Sequence, residues 1–143
     1  QIVILGESFQ STPNIFDEAK DRLKEKIIHY GYCNDFKEYA RWLWKADILP
    51  VTSNQDFFGV SIMEAIYCGA YPILPKRLTY PELLPDTPHH KHLYDNEDEL
   101  YELVKDCIDH IEMNRENAIG DWVNKFDWKL MALIYDKLFR SYI

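Results

Sequence analysis

Residues 52–75 read TSNQDFFGVSIMEAIYCGAYPILP, from Thr52 to Pro75. The segment TSNQDFFG is a loop leaving an apolar stretch, DILPVTS (47–53), that reads as a strand despite Pro50. GVSIMEAIYCG (59–69) reads as a short helix stopped by Gly69. AYPILP then forms the next strand. Strand, loop, helix and strand in this order predict a parallel crossover unit. Two carboxylates, Asp56 and Glu64, stand with seven residues between them in an otherwise apolar setting.

The same alternation runs outward in both directions. QIVILG (1–6) is a continuous apolar run ending in Gly, the pattern of a strand buried on both faces. After a loop with Ser11, Thr12 and Pro13, IFDEAKDRLKE reads as a helix with Phe16, Ala19 and Leu23 at helical spacing and Asn14 as its N-cap. KIIHYGY (26–32) is a second strand. DFKEYARWLWKA is a helix with Phe36, Tyr39, Ala40 and Leu43 on one stripe. HLYD (92–95) is a candidate fifth strand. Asn96 can cap a long helix, EDELYELVKDCIDHIEM, and two further helices are expected around RENAIGDWVNKF and WKLMALIYDKLFRSY. With no hairpin signal, the reading is α/β: a Rossmann-like open parallel sheet with helices on both faces, one domain over 1–143.

Composition narrows the function classes. With 47% hydrophobic and 28% charged residues, the 143-residue chain is long and apolar enough for a real core. A net charge of −8 argues against a surface built mainly for phosphate backbones. No run has the length of a membrane span, and QIVILGESF lacks a signal peptide's charged start. Cys33, Cys68 and Cys107 are scattered and odd in number, as reduced thiols of a cytoplasmic protein would be. The chain opens directly on a strand without Met, so a piece of a longer enzyme is expected.

In such sheets ligands bind outside the carboxyl ends of the strands. The helix beginning near Gly59 would present unpaired N–H groups and a partial positive charge to an anion. Gly59 would allow close backbone approach. Glu64, among Ile62, Met63, Ala65 and Ile66, needs hydrogen-bond partners that ribose hydroxyls would supply. Asp56 as a helix-capping aspartate and Glu64 on a solvated face remain an open alternative on spacing alone.

DFFGVSIMEA resembles the acid-x7-acid motif, E-x-F-G-x-x-x-x-E, of family-four retaining glycosyltransferases of the GT-B fold. LGESF, IIHYGYC, the stretch from Tyr39 to Pro85 and FDWKLMALIYDKLF together resemble the C-terminal, nucleotide-sugar-binding domain of the tRNA-queuosine mannosyltransferase-like group. The resemblance implies that Asp56 contacts donor sugar hydroxyls, although Asp is one methylene shorter than the family's Glu. It implies that the backbone at Phe57, Phe58, Gly59 and Val60 approaches the sugar and diphosphate, and that Glu64 binds the ribose. Gly31 and Tyr32 would lie along the base, Gly6 and Glu7 would close the first strand at the same edge, and Glu82 would be structural. Asp56 and Glu64 are thus the expected catalytic pair. The implied donor is GDP-mannose and the implied acceptor is queuosine in tRNA, held by a preceding domain. No cofactor and no metal are expected. The family's strand order is 3-2-1-4-5-6, with these strands matching two to six. The central strand, and a phosphate-clamping Arg and Lys, would then precede Gln1, and 1–6 would close directly on 47–53 or the slot would be filled from outside. The isolated stretch is expected to be inactive.

Other residues carry weaker signals. HHKH (89–92) lacks an i,i+4 pair and is expected in an exposed loop. Cys68 is expected to pack on a buried helix face rather than act as a nucleophile. Trp42, Trp44, Trp122 and Trp128 are expected mainly in the core. Lys76 and Arg77 are expected at the surface, or facing the donor phosphate or the acceptor. The competing class is a non-catalytic α/β regulatory domain that holds Mg²⁺ or phosphate on acids at strand ends.

Overall fold

The computed structural model describes residues 1–6, 13–85 and 91–142. The chain divides into two compact units, Gln1–Lys45 and Ala46–Ile143.

In the first unit, β1 (Ile2–Leu5) pairs in parallel with β2 (Ile27–Gly31). Parallel neighbours need a crossover. It contains α1 (Asn14–Leu23) and a 3₁₀ turn at Lys24–Lys26. The Nζ of Lys20 stands 4.8 Å from the Tyr30 ring centroid, joining α1 to β2. α2 (Phe36–Lys45) follows, entered through Asp35, whose carboxylate accepts the Lys37 N–H at 3.0 Å.

In the second unit, β3 (Ile48–Pro50), β4 (Tyr71–Pro75) and β5 (Leu93–Tyr94) form a parallel sheet in the order β3-β4-β5. α3 (Val60–Tyr67) connects β3 to β4, and a 3₁₀ turn at Tyr80–Leu83 lies between β4 and β5. The remainder is α4 (Glu97–Asp109), α5 (Ile111–Glu116), α6 (Gly120–Val123), a 3₁₀ turn at Asn124–Phe126, and α7 (Trp128–Arg140). β4 is buried at every residue, and its alternation feeds two cores. Leu74 joins Ile62, Met63 and Ile66 of α3 with Tyr80, Leu83, Leu84 and Val123. Tyr71 and Ile73 join Tyr94 and Cys107, with Leu100, Leu103 and Val104 of α4 packed against them. Helices therefore cover both faces, as expected of this class. Full burial of Ile73 and Leu74 stabilises the unit by about 1.5–3 kcal/mol each.

Among the described residues the ladders are β1–β2 in the first unit and β3–β4–β5 in the second. Asn14 is the first helical residue of α1, not its cap: extended Pro13 holds that place, and its carbonyl accepts the Phe16 N–H at 3.0 Å. The long helix expected after Asn96 breaks at His110 (φ −121°, ψ 34°). Phe36 is 72% exposed, and the expected α2 stripe buries only Leu43 fully. Trp44 and Trp128 are 62% and 70% exposed rather than core. No described helix is long and apolar enough to cross a membrane.

Candidate functional site

The loop between β3 and α3 is fastened from three sides. Val51 continues the ladder through its N–H to the Ile73 carbonyl at 2.9 Å, and its own carbonyl accepts the Tyr94 hydroxyl at 2.7 Å. Tyr80, fully buried, brings its hydroxyl 2.9 Å from the Ser53 hydroxyl and donates to the Ser53 carbonyl at 3.2 Å. Arg77 donates through Nη2 to the Ser53 carbonyl at 2.9 Å and through Nε to the Asn54 carbonyl at 3.2 Å. Its planar fork matches two successive carbonyls, a task a lysine could not perform. Burial pushes the Tyr94 phenol up, against the lowering effect of the Arg77 charge. It therefore remains a protonated donor at neutral pH.

The turn itself is closed by Asp56. Its Oδ1 accepts the Gly59 N–H at 3.0 Å, and the Gly59 carbonyl accepts the Met63 N–H at 2.9 Å to start α3. Gly59 is the N-cap in the left-handed region (φ 74°, ψ 43°). A Cβ there would lie 3.0 Å from Leu83 Cδ1 and 3.2 Å from Ile62 Cδ1. Glycine is thus required by the core and by handedness. Phe57 is 98% exposed, Val60 is exposed, and Phe58 meets Phe126 edge-on with ring centroids 5.4 Å apart. Glu64 is half-buried just over one turn into α3. Its charge lies close enough to help push the Cys68 thiol up, behind the larger effect of burial. A reactive thiolate needs a shift in the opposite direction.

In the first unit, the Gly6 N–H donates to the Gly31 carbonyl at 3.2 Å, so these two expected residues meet at the carboxyl ends of β1 and β2. Gly31 has φ +120°, a conformation that leaves Tyr32 exposed beyond the strand end. Glu7 lies outside the described residues, as do His89 and His90. Within the second unit Asp56, Phe57, Phe58, Gly59, Val60 and Glu64 occupy one loop and helix start.

Lys76 pairs with Asp95 at 3.4 Å, and Glu82 is exposed in its 3₁₀ turn. His92 stacks on Tyr71 with centroids 4.3 Å apart, while its Nδ1 lies 2.9 Å from the Pro72 carbonyl. Sequence reasoning missed Arg77, Tyr80 and Tyr94 as the fastenings of this loop. Their distance along the chain hides them, since Val51 and Tyr94 are 43 residues apart. The one available signal was the basic pair directly after β4.

The chain is 39% identical over 85 residues to the tRNA-queuosine alpha-mannosyltransferase of Drosophila melanogaster, a match covering 59% of this chain and 22% of that protein. The chain thus spans about a fifth of the length of that relative, to which it is related in sequence. No protein-family model matches, and no solved structure matches.

Proposed function

We propose that this chain is the nucleotide-sugar-binding part of a retaining glycosyltransferase of the GT-B type, taking mannose from GDP-mannose. The acceptor would be queuosine-modified tRNA, held by a domain outside these residues, in the cytoplasm. The observation that carries this reading is the sequence relation to a mannosyltransferase. The loop at the start of α3 supplies a physical basis. Asp56 spends Oδ1 on the Gly59 N–H, which leaves Oδ2 to accept a sugar hydroxyl. The amides of Phe57, Phe58 and Val60 lie at the positive end of α3, where a diphosphate gains charge as it leaves. Glu64 holds the ribose hydroxyls. In the transfer the bond from the anomeric carbon to the diphosphate breaks. The acceptor hydroxyl forms the new bond on the same face and loses its proton. The chain's contribution is to bind, orient and stabilise developing charge.

Calorimetry with GDP in the presence of a chelator tests the reading. Binding without added metal is expected. Binding that appears only with Mg²⁺ would favour the regulatory-domain alternative. In the transferase that contains these residues, Glu64→Ala should lower donor affinity and turnover together, and unchanged activity would remove its ribose role.

A further inference from the structure

The end of β2 holds a side-chain cluster that the transferase reading does not use. One imidazole nitrogen of His29, the Sγ of Cys33 and a carboxylate oxygen of Glu38 all lie within 4.8 Å of one another. His29 Nε2 is 3.4 Å from Cys33 Sγ and 3.3 Å from the Gly31 carbonyl, and His29 Nδ1 is 4.0 Å from Glu38 Oε1. The three residues come from a strand, a loop and the first turn of a helix, so the backbone places them together before anything binds. A tetrahedral zinc ion with ordinary Zn–N and Zn–S bonds separates its nitrogen and sulfur ligands by about 3.6 Å. The observed 3.4 Å is close to that edge.

The surroundings hold the donors in place. Cys33 is buried. The His29 imidazole packs tilted against Trp42 with centroids 5.4 Å apart, which restricts its rotation. Glu38 is half exposed and can rotate to shorten the longest separation. The mixed S, N, O donor set suits a borderline-soft divalent ion and disfavours Mg²⁺ or Ca²⁺.

We propose that His29, Cys33 and Glu38 form a three-ligand site for a divalent transition ion of the zinc class, with the fourth position open to solvent. Binding releases the Cys33 thiol proton to water and forms the metal–sulfur bond. The ion would brace the loop carrying Tyr32 against α2. This inference is independent of the transferase reading, because it assigns the ion no part in holding a diphosphate.

Titration of the metal-free 143-residue chain with Co²⁺, followed by displacement with Zn²⁺, tests it. One equivalent should bind, with a near-ultraviolet thiolate-to-cobalt charge-transfer band and the visible intensity of a four-coordinate ion. Cys33→Ser should abolish the charge-transfer band, whereas Cys68→Ser should keep it. His29→Gln and Glu38→Gln should each weaken Zn²⁺ binding by about tenfold or more. Absence of the band in the unmodified chain, or its survival in Cys33→Ser, overturns the proposal. Circular dichroism checks that each variant is folded. If Cys33→Ser is not, Glu38→Gln decides on its own: at this exposed position the fold is retained, and unchanged Zn²⁺ affinity overturns the site.

Discussion

Asp56 and Gly59 show two requirements meeting in four residues. The Asp56 carboxylate closes a turn through one oxygen, and in the proposed function would present the other to a sugar. The two roles separate by substitution. Asp56→Asn keeps an acceptor for the Gly59 N–H, so the fold should hold while turnover falls more than GDP affinity. Asp56→Ala removes the acceptor and should also cost about 1 kcal/mol of stability, as loss of a capping side chain does. Equal loss of turnover and GDP binding in Asp56→Asn would place the carboxylate at the phosphate end instead. Gly59→Ala should destabilise by at least about 1–2 kcal/mol from handedness alone. The new methyl also meets Leu83 and Ile62. The check is a lower urea midpoint at unchanged m value.

At the scale of elements, α4 begins with a cap that single-residue chemistry predicts. Asn96 Oδ1 accepts the Glu99 N–H at 3.0 Å, and the Glu99 carboxylate accepts the Asp95 N–H at 2.8 Å. Asn96→Ala should cost about 1 kcal/mol, readable as a lower midpoint in thermal melts. This start was legible because a cap and its partner lie three residues apart. β4 was legible because a short, unbroken apolar run directly after a helix-stopping glycine suits a strand buried on both faces. The break at His110 was not, because neither Gly nor Pro marks it. Across the break the buried Asn114 amide donates to the Cys107 carbonyl at 3.2 Å, tying α5 to the end of α4. Trp128, Met131, Tyr135 and Leu138 of α7 lie at helical spacing, yet no residue of α7 is fully buried. Periodicity reports a face but not what covers it. The candidate site divides similarly: its loop and helix could be read from the sequence, while the fastenings through Arg77, Tyr80 and Tyr94 required the sheet.

Over the whole molecule, burial is unequal. Among the described residues the first unit buries only Cys33 and Leu43 as hydrophobics, whereas the second holds two core clusters. Amide hydrogen exchange should therefore be slowest in β4 and faster in β1 and β2; equal protection in all three would contradict this. Alkaline pH should act chiefly on the second unit. Burial pushes the Tyr71 phenol from 10.0 up to about 12 and the Cys107 thiol from 9.0 up to about 11. The unfolded chain loses these protons first, so stability is full below about pH 9 and declines as pH rises to about 12. Paired Tyr71→Phe and Cys107→Ala substitutions should flatten that decline in melts recorded across the window. The fastening of the β3–α3 loop has a further consequence, in time rather than space. Every side chain that ties it down lies later in the chain, the last of them Tyr94, 43 residues beyond Val51. At ribosomal rates of about 5–20 residues per second, roughly two to nine seconds pass between the synthesis of Val51 and that of Tyr94. Throughout that interval the nascent loop carries its acidic residue and its two phenylalanines without the tyrosine that anchors its base.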